Sequence, residues 1–598
     1  MFRAMRLFVW TSLLVLAIAL PPASAQTGLA TVTGLVTDNS GAAVPGVTVT
    51  ATNQATNVDY TAVSNEAGAY LITAVPIGEY VVRSVITGFK SVQSNVSLSA
   101  SQTARVDFKL EVGAVEEKLE VVATGAVLQT ENAVVGQTMQ REQVEKLPIQ
   151  GRNLATATLY AAGVTTPNPA SFNDLKNTGG GRPYVNGQRE QGNNFMLDGV
   201  DMNDAIDNLI AYQPSPDAVE QVSVETNNYS PELGNVAGAI VNMVIKSGTN
   251  AFHGNGFYYW RDNDLAATPW ATNRAGGRKA EFNRKIFGAT VGGPIAQNKV
   301  FFFADYQGGR QQSPPADAFV TVIPDEWRRG DLSSLLNRPT PIVVKDPQTG
   351  QPFPNNQIPT SRFSPFARNL LADEALYPRA NVTRSLSDFR QNYRGLLASS
   401  QEVNQFDGKV DWNASSNDKL YFRYSKQGHE NTPEATEMPL RFASLSENPF
   451  WSIGANWNRI IGTSLVNDLL IGFNDNSFNG TPIDLNGVGN LNNQLGIGGT
   501  QPIPGLTEVR MGNDITNIGT IAIGSNTANK VFQINERLTW VKGRHQLKFG
   551  GSWNHYTMER YYSATTDSSG SSSTTARSPG WRSATSCSIR CSRRAADR

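Results

Sequence analysis

Residues 406–425 read FDGKVDWNASSNDKLYFRYS. Phe406, Gly408, Val410 and Trp412 fall on one face and Asp407, Lys409 and Asp411 on the other. After the turn from Asn413 to Asp418, Leu420, Phe422 and Tyr424 oppose Lys419, Tyr421, Arg423 and Ser425. A period of two is the signature of a strand, and two such arms around a polar turn read as a hairpin. In a membrane barrel the apolar face meets lipid and the polar face meets the lumen, with short turns on one side and long loops on the other. The pattern recurs. Trp451, Ile453, Ala455 and Trp457 alternate with Ser452, Gly454, Asn456 and Asn458. Phe532, Ile534, Leu538 and Trp540 precede a Lys542-Gly543-Arg544 turn, and Leu547, Phe549 and Trp553 then oppose Gln546, Lys548, Ser552 and Asn554. A half-buried soluble strand alternates too, so the rest of the chain has to decide.

At the N-terminus, Arg3 and Arg6 precede an apolar run from Leu7 to Leu20, followed by Pro21, Pro22 and Ala23-Ser24-Ala25. This order describes a cleaved export signal, with the cut expected between Ala25 and Gln26. The run is shorter than the ~20 residues a spanning helix requires, and no other stretch approaches one. Residence in a membrane would therefore require a closed barrel, the other structure that satisfies every backbone group in lipid.

Composition agrees with a mainly β protein. In 598 residues, apolar types make up 39% and charged types 17%, both below the roughly 45–50% and about 25% of ordinary soluble domains. Polar loops combined with alternating strands account for both depletions. Lys plus Arg equals Asp plus Glu at 51 each, which removes any bulk electrostatic case for nucleic acid. Cys587 and Cys591 are the two cysteines, so the first 586 residues hold no disulfide framework.

Residues 30–110 alternate with turn signals at Asp38-Asn39-Ser40-Gly41, Asn65-Glu66-Ala67-Gly68 and Pro76-Ile77-Gly78, predicting about seven strands in a small β-sandwich. A charged bridge, Glu116-Glu117-Lys118-Leu119-Glu120, runs into Val121-Val122-Ala123-Thr124-Gly125. Such an extended segment can add as a strand to a partner's sheet, and a plain linker explains it almost as well. From 126 to 250 the pattern is mixed α/β. Glu142–Leu147 reads as a short helix ended by Pro148, a second helix is expected from Gln150 to Tyr160, and strand-like runs cover 218–227 and 239–246.

Several motifs stand in a fixed order: Gly34-Leu35-Val36-Thr37-Asp38 and Asn65-Glu66-Ala67-Gly68-Ala69-Tyr70; then Leu147-Pro148 with Gly151-Arg152-Asn153; Val185-Asn186-Gly187-Gln188-Arg189; Leu197-Asp198-Gly199-Val200-Asp201; Glu232-Leu233-Gly234; and Lys246-Ser247-Gly248-Thr249-Asn250. The first pair resembles the carboxypeptidase regulatory-like domain, a transthyretin-like sandwich. The rest closely resembles the plug of TonB-dependent outer-membrane receptors, and the order of the two resembles the Oar-like group. The likeness continues through Phe252-His253-Gly254-Asn255-Gly256-Phe257 and Phe301-Phe302-Phe303-Ala304-Asp305-Tyr306. It implies energised transport across the outer membrane. The implied partners are outer-membrane lipid, a periplasmic TonB-type energy-coupling protein and a large substrate, carbohydrate or peptide in class. It also makes Asn186, Gly187, Gln188, Arg189, Asp198, Gly199 and Asp201 plug-motif residues, and Leu119, Glu120, Val121, Val122, Ala123 and Thr124 the candidate energy-coupling segment. The competing reading is a surface adhesin whose sandwich binds glycans without transport.

No cofactor is implied. His253, His429, His545 and His555 lack the spacing of a helical zinc site, and no Gly-x-Ser-x-Gly elbow occurs. Asp198, Asp201, Asp204 and Asp207 recur every third residue but lack calcium-loop spacing, which favours turn roles. Gly179-Gly180-Gly181 lacks the Gly-Lys-Ser/Thr of a phosphate loop. The chain reads as a non-enzyme. Stretches 307–400 and 475–529 read as long outer loops. The tail from Ser568, with ten Ser and six Arg, has no strand pattern and reads as an aberrant or frameshifted end. The expected order is therefore a signal (1–25), a β-sandwich (26–112), a linker (113–125), an α/β plug (126–250), an antiparallel transmembrane barrel incomplete in this chain (251–560) and a foreign tail (561–598).

Overall fold

The computed structural model describes residues 29–562, apart from 101, 114–117, 121–133, 147–149, 167–182, 206–207, 231–232, 234–235, 269, 275–278, 280, 386–387, 463, 498–504, 513, 521–524 and 544. The export-signal cleavage at Ala25–Gln26, Val121–Thr124, Leu147-Pro148, the Gly179–Gly181 loop, Glu232, Gly234, Asp207 and the serine-rich tail lie outside the described residues.

The N-terminal unit is a two-sheet sandwich. Its strands are β1 (Ala30–Asp38), β2 (Thr48–Asn53), β3 (Asp59–Val63), β4 (Ala69–Val75), β5 (Gly78–Val85), β6 (Ser91–Leu98), β7 (Thr103–Arg105), β8 (Phe108–Leu110) and β9 (Lys118–Glu120). One sheet runs β4-β1-β7, with β8 also on β1; the other runs β3-β2-β5-β6-β9. Alternation in β1 buries Ala30, Val32 and Val36 against Tyr70, Tyr80 and Val82. The Asn65 turn is held locally: its Oδ1 accepts from the backbone N–H of Ala67 and Ala69 at 3.0 and 3.1 Å, an Asx turn of the kind these residue types favour.

The second unit is built on β10 (Val135–Gln140), β13 (Asn194–Leu197), β14 (Val200–Asp201), β15 (Val219–Asn227) and β16 (Ile240–Ile245), in the order β10-β15-β16-β13-β14, with a two-stranded β11 (Val164–Thr165) and β12 (Tyr184–Val185) beside it. β16 is buried at every position, which explains why it is apolar everywhere except at Asn242. The helix expected near 142–147 forms at Arg141–Lys146. The second expected helix is a 3-10 helix over Leu154–Tyr160, capped by the Asn153 side chain.

The third unit is one large antiparallel sheet: β17 (His253–Asp262), β18 (Asn283–Ala296), β19 (Val300–Val320), β20 (Tyr393–Asn413), β21 (Asp418–Ala435), β22 (Arg441–Glu447), β23 (Phe450–Ile461), β24 (Leu465–Ile483), β25 (Gly519–Thr520), β26 (Ser525–Lys542) and β27 (His545–Tyr562). It wraps around the second unit. The facing read from 406–425 holds: Phe406, Trp412 and Phe422 are exposed on the outside, whereas Asp407, Lys409, Arg423 and Ser425 are buried inside. Among the described residues β17 and β27 are the two ends of the sheet and do not pair.

The outer loops are narrower than the sequence suggested. β19 and β20 each run for 21 residues and pair up to Val320↔Tyr393, so 307–320 and 393–400 are strand. About ten residues suffice to cross the bilayer. Beyond it both faces meet water, alternation is no longer demanded, and the backbone ladder continues on polar sequence. The remaining long connections, 321–392 and 484–518, share a hydrophobic core through Val322, Leu370, Tyr377, Leu491 and Ile518, joined by Leu440 from the β21–β22 connection.

Candidate functional site: the plug and its seat in the barrel

Two hairpins of the second unit share one backbone geometry but differ in where they point. Asn186-Gly187 and Asp198-Gly199 each have positive φ at both positions, the type I′ geometry that two-residue hairpins favour and that glycine adopts without penalty. The Asn186–Arg189 turn is exposed, closed by reciprocal Val185 and Gln188 backbone bonds of 3.2 and 2.8 Å. By contrast, Leu197–Asp201 is buried and projects into the wall of the large sheet.

There the Asp198 carboxylate meets two cations. Oδ1 lies 3.3 Å from Lys409 Nζ and Oδ2 lies 3.4 Å from Arg423 Nε. Tyr421 donates its hydroxyl to the Asp198 carbonyl at 2.7 Å. Arg423, fully buried, also reaches Ser425 Oγ at 2.5 Å and Ser452 Oγ at 3.2 Å. Asp201 is held by Asn203 within its own unit and by Tyr556 Oη at 3.1 Å from the wall; burial raises its carboxyl above the ordinary aspartate range. Gln533 grips the hairpin backbone from the wall, accepting from Asp201 N at 3.0 Å and donating to Gly199 O at 3.3 Å. Between these polar clasps Val200 presses on Gly472, where an added Cβ would lie 2.7 Å from Val200 Cγ1.

A second and a third clasp lie further round. Tyr212 donates to Asp407 Oδ2 at 2.6 Å and stacks on Phe450, centroids 4.7 Å apart. Arg152 pairs with Asp217, donates to Gln307 Oε1 at 3.0 Å and lies over the Phe257 and Tyr259 rings at 4.5 and 4.7 Å. The inner unit is thus seated by buried charge and hydrogen bonds beside apolar contacts with Phe303, Phe450 and Leu470 of the sheet, and each charge named here has its counter-ion or donor. No cluster of His, Cys, Asp and Glu able to hold a metal is found among the described residues.

Comparison with known proteins accounts for this arrangement. An outer membrane beta barrel domain matches residues 244–589, a TonB-dependent receptor plug domain 129–240, and a carboxypeptidase regulatory-like domain 31–111. The chain belongs to the TonB-dependent receptors. This receptor is 30% identical over 268 residues to the TonB-dependent transporter Oar of Myxococcus xanthus, a match covering 44% of the present chain and 25% of that relative, so the chain spans about a quarter of the curated relative it matches. Among solved structures it is similar to the outer membrane transporter YddB of Escherichia coli (13% identity, 72% of this chain and 48% of that one, TM-score 0.42). It is also similar to the ferric-catecholate import receptor Fiu of E. coli K12 (12% identity, 77% and 65%, TM-score 0.37). The receptor's place is the outer membrane.

In a receptor of this architecture the short turns face the periplasm and the long loops face outward. The sandwich sits at the periplasmic end, under the plug. Asn65 Nδ2 donates to the carbonyl of Gly543 in the β26–β27 turn at 2.7 Å. Asn250, at the end of the Lys246–Asn250 motif, donates its backbone N–H to Ala55 O at 3.0 Å and its side chain to Thr56 O at 2.7 Å. Phe301, at the periplasmic end of β19, is buried in the sandwich core, and Lys419 lies over the Tyr60 ring at 5.0 Å. Gln140 of the plug donates to Ser99 of the sandwich at 2.8 Å.

Of the candidate energy-coupling segment, Leu119 and Glu120 belong to β9, which pairs in parallel with β6 through Val92 and Gln93. These two residues therefore lie on an edge strand of the receptor's own sandwich. Sequence reading singled out Asp198 and Asp201 but not their partners. Lys409, Arg423 and Asp407 were legible as lumen-facing, and Arg152 lay inside a motif without an assigned role.

Proposed function

We propose that this receptor is an energised transporter of a large substrate across the outer membrane, working without catalytic chemistry. A substrate first meets the outer loops. A periplasmic TonB-type protein then takes the Leu119–Thr124 segment by edge pairing and pulls, and the plug rearranges to open a path through the lumen. The observation that carries this reading is the polar seat of the plug. Buried ion pairs and side-chain hydrogen bonds can be exchanged for water one at a time as an interface opens, whereas a continuous apolar core resists partial opening. The same reading takes residues 1–25 as the export signal. Deleting Leu119–Thr124 should abolish proton-motive-force-dependent accumulation of the substrate while surface binding persists; unchanged accumulation would overturn the assignment.

A further inference from the structure

The outer loops form an open cavity of about 750 Å³ between the 321–392 connection and Met511, Gly512 and Ile515. Its walls include Trp327, Phe353, Phe363, Leu371, Met511 and Ile515, and Lys345, Gln348, Ser361 and Arg362 also line it. A void of this size falls within the roughly 300–1,000 Å³ of small-molecule sites, which are likewise mostly apolar with a few placed polar groups.

The frame around it is rigid by its own bonds. Arg328 donates to the carbonyls of Tyr377, at 3.0 Å, and Pro378, and lies over the Tyr377 ring. Asn392 bonds both backbone groups of Val322, at 2.8 and 2.9 Å. Thr321 and Thr516 join the two loops through bonds of 2.9 Å in each direction. The cavity is thus pre-formed, which lowers the ordering cost of binding.

Charge selects the occupant. Arg362 is already neutralised by Asp346 at 2.5 Å. Lys345 is exposed and makes no side-chain hydrogen bond or ion pair among the described residues. One uncommitted cation beside an aromatic and aliphatic chamber fits one anionic group on an apolar body. A heavily hydroxylated ligand would leave its polar groups against the apolar walls without partners, which disfavours it.

We infer that this loop cavity is a binding site for amphipathic organic anions, a carboxylate or sulfonate carried on an aromatic or aliphatic body. The inference rests on the loop geometry alone and extends the transport reading by naming a ligand class on the outer face. Binding needs no energy source, so the two readings can fail separately.

The test uses the full receptor in lipid nanodiscs with two fluorescent probes of the same shape, the anionic 1-anilinonaphthalene-8-sulfonate and the uncharged N-phenyl-1-naphthylamine. Ala367 lines the chamber, and Ala367→Trp should fill it and remove the saturable component of both probes. Lys345→Glu should weaken the anion at least tenfold and the neutral probe less than twofold. Saturable binding that survives Ala367→Trp overturns the site, and equal weakening of both probes by Lys345→Glu overturns the anionic class. If Ala367→Trp alters the melting temperature, Met511→Trp closes the same chamber from its other side and decides the question.

Discussion

Asp198 of the plug and Lys409 of the barrel form an ion pair of 3.3 Å in which only 3% and 6% of the side chains remain exposed. Such a pair is costly to assemble and more costly to break, because removing one partner leaves an uncompensated buried charge worth about 3–5 kcal/mol. Asp198→Asn strands two cations, since Arg423 shares the carboxylate. Lys409→Met leaves Arg423 in place. Asp198→Asn should therefore loosen the plug more than Lys409→Met, read as antibiotic leakage through the outer membrane and as faster hydrogen exchange in β13 and β14. The reverse ranking would show that Arg423 does not share the load.

The Val200–Gly472 contact gives a steric prediction. A methyl group at 472 overlaps Val200 Cγ1, so Gly472→Ala should destabilise the seated plug by about 1–3 kcal/mol, the usual cost of overpacking. Val200→Ala opens the space that the new methyl needs. The double variant should be more stable than Gly472→Ala alone in a denaturant titration, and strict additivity of the two changes would refute the contact.

Glu225, in the plug strand β15, has its carboxyl pushed up to about 6 by burial. Its folded pKa lies above the ordinary value of 4.5, so the folded plug binds the proton more tightly than the unfolded chain does. The resulting stability is complete below about pH 4.5 and is lost as pH rises through 6, a span of about 2 kcal/mol. Protection of the β15–β16 amides should fall across that window in the wild type. Glu225→Gln should flatten the profile and raise protection at pH 7.

Asn65 separates folding from docking. Its Oδ1 holds its own turn while its Nδ2 holds the Gly543 turn of the barrel. Asn65→Asp keeps the acceptor and loses the donor. The sandwich should stay folded with near-normal stability yet become more accessible to protease at its periplasmic contact, whereas Asn65→Ala should also lose about 1 kcal/mol of turn stability. Equal protease sensitivity in wild type and Asn65→Asp would remove the docking role.

The fold was readable where one rule acts on neighbouring residues. Period-two alternation placed Asp407, Lys409 and Arg423 inside because a strand surrounded by lipid has no other way to arrange them. The turn role read for Asp198 holds, because few residues other than Asn, Asp and Gly accept the left-handed backbone that its hairpin needs. Other features depended on distant partners. Lys409 lies 211 positions from Asp198, and no local pattern joins them. The loop core draws Val322, Tyr377, Leu491 and Ile518 from separate segments with no shared period, so those stretches read as polar connectors. The excess length of β19 and β20 was hidden because alternation stops where lipid does.

One consequence follows from the pairing of β9 with β6. Residues 121–134 tie the edge strand of the sandwich to β10, itself the edge strand of the plug sheet. Three residue pairs anchor one end of this tether and six the other. Tension applied to the tether loads the two anchors in parallel, and the shorter ladder yields at the lower force. On the proposed mechanism the sandwich end works as a mechanical fuse: the three-pair ladder parts before the six-pair ladder of β10, so weak or accidental tugs are spent on a joint that can re-form.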